Sequence, residues 1–202
     1  MEKIITAVLQ HLQIAAAGVL IAIVFGVMLG IVLTKYKFAA GFVMTITDLI
    51  QTIPTLALLS ILMTIFGLGN GTVITGLFLY SLLPIIRNTY VGILGVPEGL
   101  IEAGMGMGMT KTQLMLKVEL PLALPIILSG IRIAFVTALG ITTIGVLIGA
   151  GGLGQFIWRG IQMQNIEMIL SGAIPVSILA IGADVFLGYT EGKLVKRAYK
   201  NK

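Results

Sequence analysis

Five long apolar stretches constrain the fold of this 202-residue chain more than any other feature of its sequence. A helix needs roughly 20 apolar residues to cross the hydrocarbon core of a bilayer. Backbone groups inside a bilayer must be hydrogen-bonded within the protein, and no barrel-like alternation of apolar and polar residues is visible. We therefore predict an all-α, polytopic integral membrane protein with five transmembrane helices, formed as one domain over residues 1–202. The stretches cover about residues 14–33, 42–66, 72–89, 122–148 and 166–189.

The composition excludes a soluble domain and several kinds of chemistry. Charged residues are 10% of the chain and hydrophobic residues 57%, whereas soluble proteins carry about 25% charged residues. The chain contains no cysteine, which excludes a disulfide framework and a thiolate metal site. Its glycine-rich runs, GLGNG from Gly67 and GAGGLG from Gly149, lack the lysine of a Walker A loop. We therefore expect no catalysis and no cofactor on this chain.

Positive charges are distributed unevenly around the apolar stretches. The side that carries Lys3 and Arg159 is poor in them, and Arg132 lies inside the fourth stretch. Because cytoplasmic loops are enriched in Lys and Arg, we expect an external N-terminus, a cytoplasmic loop over about residues 90–121 and a basic cytoplasmic tail over residues 191–202. Topology thus accounts for the net charge of +5, and we expect no nucleic-acid partner. The residues on the basic side are Lys35, Lys37, Arg87, Lys111, Lys117, Lys193, Lys196, Arg197, Lys200 and Lys202.

One polar segment, EAGMGMGMTKTQLMLKVELP from Glu102 to Pro121, interrupts the apolar sequence in the predicted cytoplasmic loop. Thr110 followed by Gln113 is typical of a helix N-cap, and Pro121 is suited to the first turn of the next helix. The pattern predicts two short helices joined at a glycine. The small residues in this segment permit close approach of another protein surface, although a solvated connection remains the alternative from the residues alone. These small residues are Ala103, Gly104, Gly106 and Gly108.

This segment resembles the EAA loop of binding-protein-dependent ABC importer permeases. The matching positions are Glu102, Ala103, Gly108 and the closing Leu120–Pro121 pair; Gly104 stands where the family usually has Ala, and Met105 where Arg is frequent. The resemblance implies a type I ABC importer permease fold in a bacterial cell membrane. It also implies that two cytoplasmic ATPase subunits dock on the loop and bind ATP and Mg. A second permease chain, identical or homologous, and an external substrate-binding protein complete the implied assembly.

Four further segments resemble the osmoprotectant permeases in particular. The resemblance implies a quaternary-amine cargo such as glycine betaine, carnitine or choline. A permease of the same fold for methionine or another amino acid is the nearest alternative, and a small self-contained channel or an ion-driven carrier is the alternative from another class. The segments are QTIPTLALL from Gln51, LLPIIRNTYVGI from Leu82, VELPLALPII from Val118 and LIGAGGLGQFI from Leu147.

The second apolar stretch supplies candidates for a low-affinity translocation path. Gln51, Thr52 and Thr55 are polar residues beside Pro54, which removes a helix hydrogen bond and favours a kink. Tyr80 is a candidate for cation–π contact with a quaternary ammonium group. Such kinks also occur without a transport role, and aromatic residues also anchor helices at membrane interfaces.

Three ionisable residues, Asp48, Arg132 and Asp184, lie inside predicted spans. A charge in lipid is costly unless it is paired, so we expect a structural or gating ion pair between Arg132 and either Asp48 or Asp184. His11, the only histidine, precedes the first stretch and is expected at the membrane interface.

Two glycine pairs have the spacing that permits close helix approach in membranes. They are Gly26-x-x-x-Gly30 and Gly145-x-x-x-Gly149. An interface between permease chains and chance occurrence are equally good explanations of both.

Overall fold

A computed structural model describes residues 2–199 of the chain, and its side chains as far as Lys196. The described part is helical and contains no β-strand, which confirms the all-α prediction. A π-helical segment, Met115–Glu119, and a 3-10 turn, Gly145–Ile148, precede and follow the seventh helix. The α-helices are α1 (Glu2–Leu33), α2 (Lys37–Thr52), α3 (Thr55–Phe66), α4 (Asn70–Leu94), α5 (Glu98–Gly106), α6 (Lys111–Leu114), α7 (Leu120–Ile144), α8 (Gly154–Gln162) and α9 (Ile166–Tyr199).

Four helical segments of the described chain are long and apolar enough to cross a membrane: α1, α4, the continuous helix Lys111–Ile148 that contains α7, and α9. The second predicted span is not one continuous helix. It is divided into α2 and α3, which meet at 100°, and it brings the number of spans to five if the bent pair counts as one.

Proline explains why the second span breaks. Pro54 has no N–H to donate, and its ring disfavours helical backbone at the preceding residue. Ile53 accordingly has the extended angles φ −68° and ψ 127°. Pro175, the other predicted kink, lies inside α9, which continues through it. Of the two prolines predicted to kink a span, only Pro54 therefore separates two helices.

Helix α4 occupies the centre of the fold and packs against α1, α2, α3 and α7, while α9 packs against α7 and α8. The main core lies where α1, α3, α4 and α7 meet. It includes the fully buried side chains of Leu59, Leu77, Ile85 and Leu139.

Glycine allows α1 to approach α4 closely. A Cβ atom on Gly26 would lie 2.8 Å from Cγ2 of Ile85, and one on Gly30 would lie 2.6 Å from Cβ of Thr89. Gly145 is equally confined, because its Cβ would lie 2.8 Å from Cγ2 of Val73. These three glycines therefore serve contacts inside the chain, and their small size needs no interface with a second permease chain to explain it.

His11 lies where α1 contacts α7. It is fully buried inside the protein, because α1 begins at Glu2 and packs residue 11 against α7. Its Nε2 lies 3.0 Å from the carbonyl oxygen of Leu139. A carbonyl can only accept, so Nε2 carries the proton.

The glycine-rich run that follows the 3-10 turn is held in place by side chains of α1 and α4. The Gly151 N–H donates to Oδ1 of Asn70 over 3.0 Å, and the Gly152 N–H donates to Oε1 of Gln10 over 3.1 Å. The run thereby ties α7 to the N-terminal parts of α1 and α4.

We expect Gly30→Ala to destabilise the fold by about 1–3 kcal/mol, because the added methyl group overlaps Thr89 and the interior has no room to yield. Gly41→Ala is the matched control, since Gly41 lies in α2 and nothing beyond its own turns of helix lies within 4 Å of the added Cβ. That change should be neutral or mildly stabilising because alanine favours helix over glycine. Thermal unfolding in detergent measures both, and equal melting temperatures would contradict the proposed α1–α4 contact.

Candidate functional site

A polar groove of about 480 Å³ lies between the bent pair α2–α3, the centre of α4 and one face of α7. Its walls combine the apolar side chains of α4 and α7 with several polar ones. The polar side chains that line it are Gln51, Thr55, Tyr80, Ser81, Arg87, Asn88 and Thr137. A concave, mostly apolar site with a few polar groups is the usual form of a small-molecule site.

Three of the five residues predicted for a translocation path, Gln51, Thr55 and Tyr80, line this groove. Thr52 and Pro54 do not line it. The Thr52 hydroxyl instead donates to the Leu49 carbonyl of its own helix over 2.7 Å. Pro54 contributes through the break it creates, which places Gln51 and Thr55 on different helices at the same groove.

Reciprocal hydrogen bonds join this break to α4. Nε2 of Gln51 donates to the carbonyl oxygen of Tyr80 over 2.9 Å, and the Tyr80 hydroxyl donates to the carbonyl oxygen of Ile53. In a regular helix the Tyr80 carbonyl would accept from the N–H of residue 84, but residue 84 is a proline. Gln51 therefore satisfies a carbonyl that Pro84 leaves free, and Tyr80 satisfies one beside Pro54.

Arg87 is the charged residue among those that line the groove. Its Nη2 lies 2.9 Å from both carboxylate oxygens of Asp48, so an ion pair connects α4 to α2. Asp48 was one of two candidate partners for Arg132, and the structure pairs it with Arg87 instead. Sequence reasoning assigned Arg87 to the basic loop side. Its spacing of seven residues from Tyr80, two helical turns, was the signal that they share a face.

Arg132 pairs with Asp184, the other candidate, and so connects α7 to α9. The distances are 2.6 Å from Nε to Oδ1 and 2.8 Å from Nη2 to Oδ2. Nη1 lies 3.4 Å from Oε2 of Glu191. Gly188 leaves room for the guanidinium, because a Cβ there would lie 2.9 Å from Nη1.

Sequence reasoning missed Glu191 because it placed this residue in the tail. Asp184, Gly188 and Glu191 recur at the spacing of one helix face, which is the signal that was available.

The segment from Glu102 to Pro121 forms two short helices, as predicted. Helix α5 ends at Gly106, Gly108 has a left-handed φ of 79°, and α6 begins at Lys111. A capping box confirms the predicted N-cap: the Thr110 N–H donates to Oε1 of Gln113 over 2.9 Å, and the Gln113 N–H donates to Oγ1 of Thr110 over 3.3 Å.

The small residues of this segment have different surroundings. Gly104 is buried, and a Cβ on it would lie 2.6 Å from Cδ1 of Leu114. Its small size is therefore needed for contact between α5 and the residues of α6. Glu102 and Ala103 are exposed, as are Met105 and Met107. This exposed side of α5, with the turn that follows it, is one surface of the segment that a partner can reach.

Pro121 lies in the first turn of α7, as predicted, although helical backbone already precedes it. The backbone is helical from Lys111 through the π-helical segment into α7, with the Leu120 N–H bonded to the Met115 carbonyl. Pro121 cannot donate to the Lys117 carbonyl four residues earlier, and a local π-helix accommodates such a missing bond. Leu120 and Pro121 thus lie within one continuous helical path from α6 to α7.

Comparison with known proteins gives close relatives along most of the chain. A glycine betaine/carnitine/choline transport system permease protein of Bacillus subtilis is 48% identical over 186 residues, which are 92% of this chain and 81% of the relative. A choline transport system permease protein of the same organism is 50% identical over 92% of this chain and 82% of its own. A carnitine transport permease protein of Listeria monocytogenes is 49% identical over 96% and 86%, respectively.

Solved structures show the same fold. An inward-facing methionine ABC transporter superposes with a TM-score of 0.79 over 98% of this chain and 97% of the other, at 24% identity. An amino acid ABC transporter superposes with a TM-score of 0.78 over 95% and 94%, at 19% identity. Both are ABC transporter structures, which confirms the predicted fold class of importer permeases.

A family model described as the binding-protein-dependent transport system inner membrane component matches residues 22–196, which is most of the chain. The match includes α2 to α8, the groove and the segment from Glu102 to Pro121. With the relatives above, it shows that this chain belongs to the family of binding-protein-dependent transport system inner membrane components.

Proposed function

We propose that this chain is the permease subunit of an ATP-driven importer of quaternary-amine osmoprotectants. The observation that carries the proposal is its identity of 48–50% along more than nine tenths of its length with three permeases whose names specify glycine betaine, carnitine or choline. The methionine transporter is similar only at 24% identity, which supports the shared fold and not a shared cargo. A self-contained channel or ion-driven carrier is not favoured, because the family depends on binding proteins.

The proposed orientation places the N-terminus outside and the segment from Glu102 to Pro121 in the cytoplasm. The ends of α1, α4 and α9 that lie on the same side as this segment carry most of the basic residues, as cytoplasmic ends do. The proposed basic tail begins inside α9, which continues to Tyr199. Lys200 and Lys202, and the side chain of Arg197, lie outside the described residues.

The exposed side of α5, with Glu102 and Ala103, is the proposed contact for a cytoplasmic ATPase. Each of two permease chains, identical or homologous, would hold one ATPase subunit, and ATP and Mg would bind to those subunits. Gly104 and Leu114 hold α5 against α6. Because helical backbone runs from α6 through Leu120 and Pro121 into α7, movement of the docked segment would be transmitted directly to a wall of the groove.

The groove is proposed to form one half of a translocation path. Gln51, Thr55 and Tyr80 line it, and Thr52 and Pro54 lie at the break that shapes it. Conduction requires contacts weak enough for cargo to leave, and neutral polar side chains suit that requirement. A second permease chain would close the open side of the groove, and an external binding protein would deliver the cargo.

The Arg132–Asp184 pair is proposed to hold α9 on α7. Few residues of the α9 span are buried, so apolar packing alone fixes this helix weakly. A bidentate guanidinium–carboxylate pair specifies both the position and the rotation of the helix.

A complex of this chain with its ATPase, second permease and binding protein, reconstituted in liposomes, tests the proposed function. Uptake of labelled glycine betaine should require ATP and should be inhibited by excess carnitine or choline but not by methionine. Inhibition by methionine would instead favour the amino-acid permease. Uptake by this chain alone, without ATPase subunits, would contradict the class of transporter proposed.

Gly108→Val should uncouple ATP hydrolysis from uptake while the chain still inserts and assembles. A β-branched residue in the left-handed conformation is strained by about 1–2 kcal/mol, so the joint between α5 and α6 would shift. Gly108→Asn is the matched control, since asparagine tolerates this conformation, and it should keep most of the coupling. The measured quantity is cargo molecules transported per ATP hydrolysed, and an unchanged ratio in Gly108→Val would remove the joint from the proposed mechanism.

Arg132→Gln should destabilise the purified chain more than Asp184→Asn does. Loss of the arginine leaves two carboxylates, Asp184 and Glu191, without their partner, whereas loss of the Asp184 charge leaves Arg132 bonded to Glu191. Arg159→Gln is the control, because Arg159 is exposed and forms no ion pair among the described residues. The melting temperature in detergent gives the order, and the reverse order would contradict a central role for Arg132.

A further inference from the structure

We propose that Arg87 is a specificity-determining residue of the groove, where it binds the carboxylate of zwitterionic quaternary amines such as glycine betaine and carnitine. Choline carries a hydroxyl in place of that carboxylate and would make no such contact. The inference rests on the proposed function, because it assigns a contact to that cargo.

The hydrogen bonds of Arg87 leave part of its guanidinium free. A guanidinium has five N–H donors, and Nη2 alone is occupied, by the two oxygens of Asp48. Asp48 is the sole hydrogen-bond partner that the described chain gives this side chain. The N–H of Nε and both N–H groups of Nη1 therefore stay free, and a second carboxylate can accept from Nη1 as Asp48 accepts from Nη2.

The surroundings of the pair indicate that its exposed atoms face water or cargo rather than lipid. The Arg87 side chain is 49% exposed and that of Asp48 is 46% exposed. A charge exposed to the hydrocarbon core is expensive, so ionisable residues of spanning segments face the protein interior or an aqueous cavity. Arg87 lines the groove, which provides that cavity.

Asp48 determines how strongly a second carboxylate would bind. It neutralises Arg87 and fixes the direction of the guanidinium by linking α2 to α4. A bare arginine would hold an anionic group tightly, whereas an arginine already paired binds a second carboxylate weakly. Weak binding is what a transported molecule requires. The pair thus combines recognition of a carboxylate with release.

The rest of the groove gives no comparable contact that would mask this preference. Its other polar side chains near Arg87 on α4 and α7, namely Ser81, Asn88 and Thr137, are neutral. They can hydrogen-bond a hydroxyl and a carboxylate alike. Discrimination between choline and the two zwitterions inside the permease therefore falls to Arg87.

The test compares uptake of labelled glycine betaine, carnitine and choline by the complete reconstituted transporter, with the binding protein saturated by each cargo so that its own selectivity is held constant. Arg87→Gln should lower uptake of glycine betaine and carnitine relative to choline by about tenfold, the usual effect of losing a charge-assisted hydrogen bond. Arg87→Lys keeps the charge but loses the planar guanidinium. Its uptake of the zwitterions relative to choline should lie between that of the unaltered transporter and that of Arg87→Gln.

Two variants separate a carboxylate contact from a merely structural ion pair. Asp48→Asn breaks the pair but keeps Arg87, so the unpaired arginine should bind zwitterions more tightly. Excess unlabelled glycine betaine should then inhibit choline uptake more strongly than it does in the unaltered transporter. The double variant Asp48→Asn with Arg87→Gln leaves no unpaired charge, and it should show the same selective loss as Arg87→Gln. ATP hydrolysis confirms assembly in every case.

An equal loss of all three cargoes in Arg87→Gln and in the double variant would overturn the role assigned to Arg87. Weaker inhibition of choline uptake by glycine betaine in Asp48→Asn than in the unaltered transporter would overturn it as well, because Arg87 is intact there. Absence of uptake of every quaternary amine by the unaltered transporter would instead contradict the proposed function itself.

Discussion

The need to satisfy every backbone carbonyl inside a bilayer is the constraint on which the rest of this structure depends. No water is available in the hydrocarbon core, so a carbonyl that proline leaves without a donor must find one within the protein. Pro84 frees the Tyr80 carbonyl, and the break at Pro54 frees that of Ile53. Gln51 and Tyr80 supply the two missing donors reciprocally, and in doing so they fix the bent pair α2–α3 against α4. The break between α2 and α3, which would be unfavourable in lipid without these donors, thus forms part of the wall of the groove.

Close packing on one side of α4 explains how this helix contributes both to the core and to the groove. Glycines on α1 let it approach the rear of α4, so the opposite side of α4 remains free to present Tyr80, Arg87 and neighbouring polar residues. Two ion pairs connect the less tightly packed helices α2 and α9 to α4 and α7, respectively. Arg87 and Asp48 join α2 to α4, and Arg132 and Asp184 join α9 to α7. Charge is therefore used where apolar burial is smallest.

Mechanical continuity links the groove to the segment that resembles an EAA loop. The Thr110 cap and the left-handed Gly108 define the joint between α5 and α6, and the π-helical segment carries the backbone past Pro121 into α7 without a break in the helix. One helical path therefore runs from α6, which packs against α5, to Thr137 on the groove wall. In the proposed function, this path would transmit movement of the segment from Glu102 to Pro121 to the wall of the groove.

The sequence by itself determined the properties that depend on neighbours along the chain. Apolar length predicted the spanning segments, Pro54 predicted a kink, Thr110 with Gln113 predicted a helix start, and the family motifs predicted the relatives found. Tertiary structure alone decided which distant groups meet. Helix rotation and packing are set by the whole core, so the sequence left the partner of Arg132 open and did not predict that His11 is buried against α7. The same dependence turned the paired glycines inward and brought Arg87 into the groove. Spacing within a helix fixes a face, but only packing against other helices decides what that face contacts.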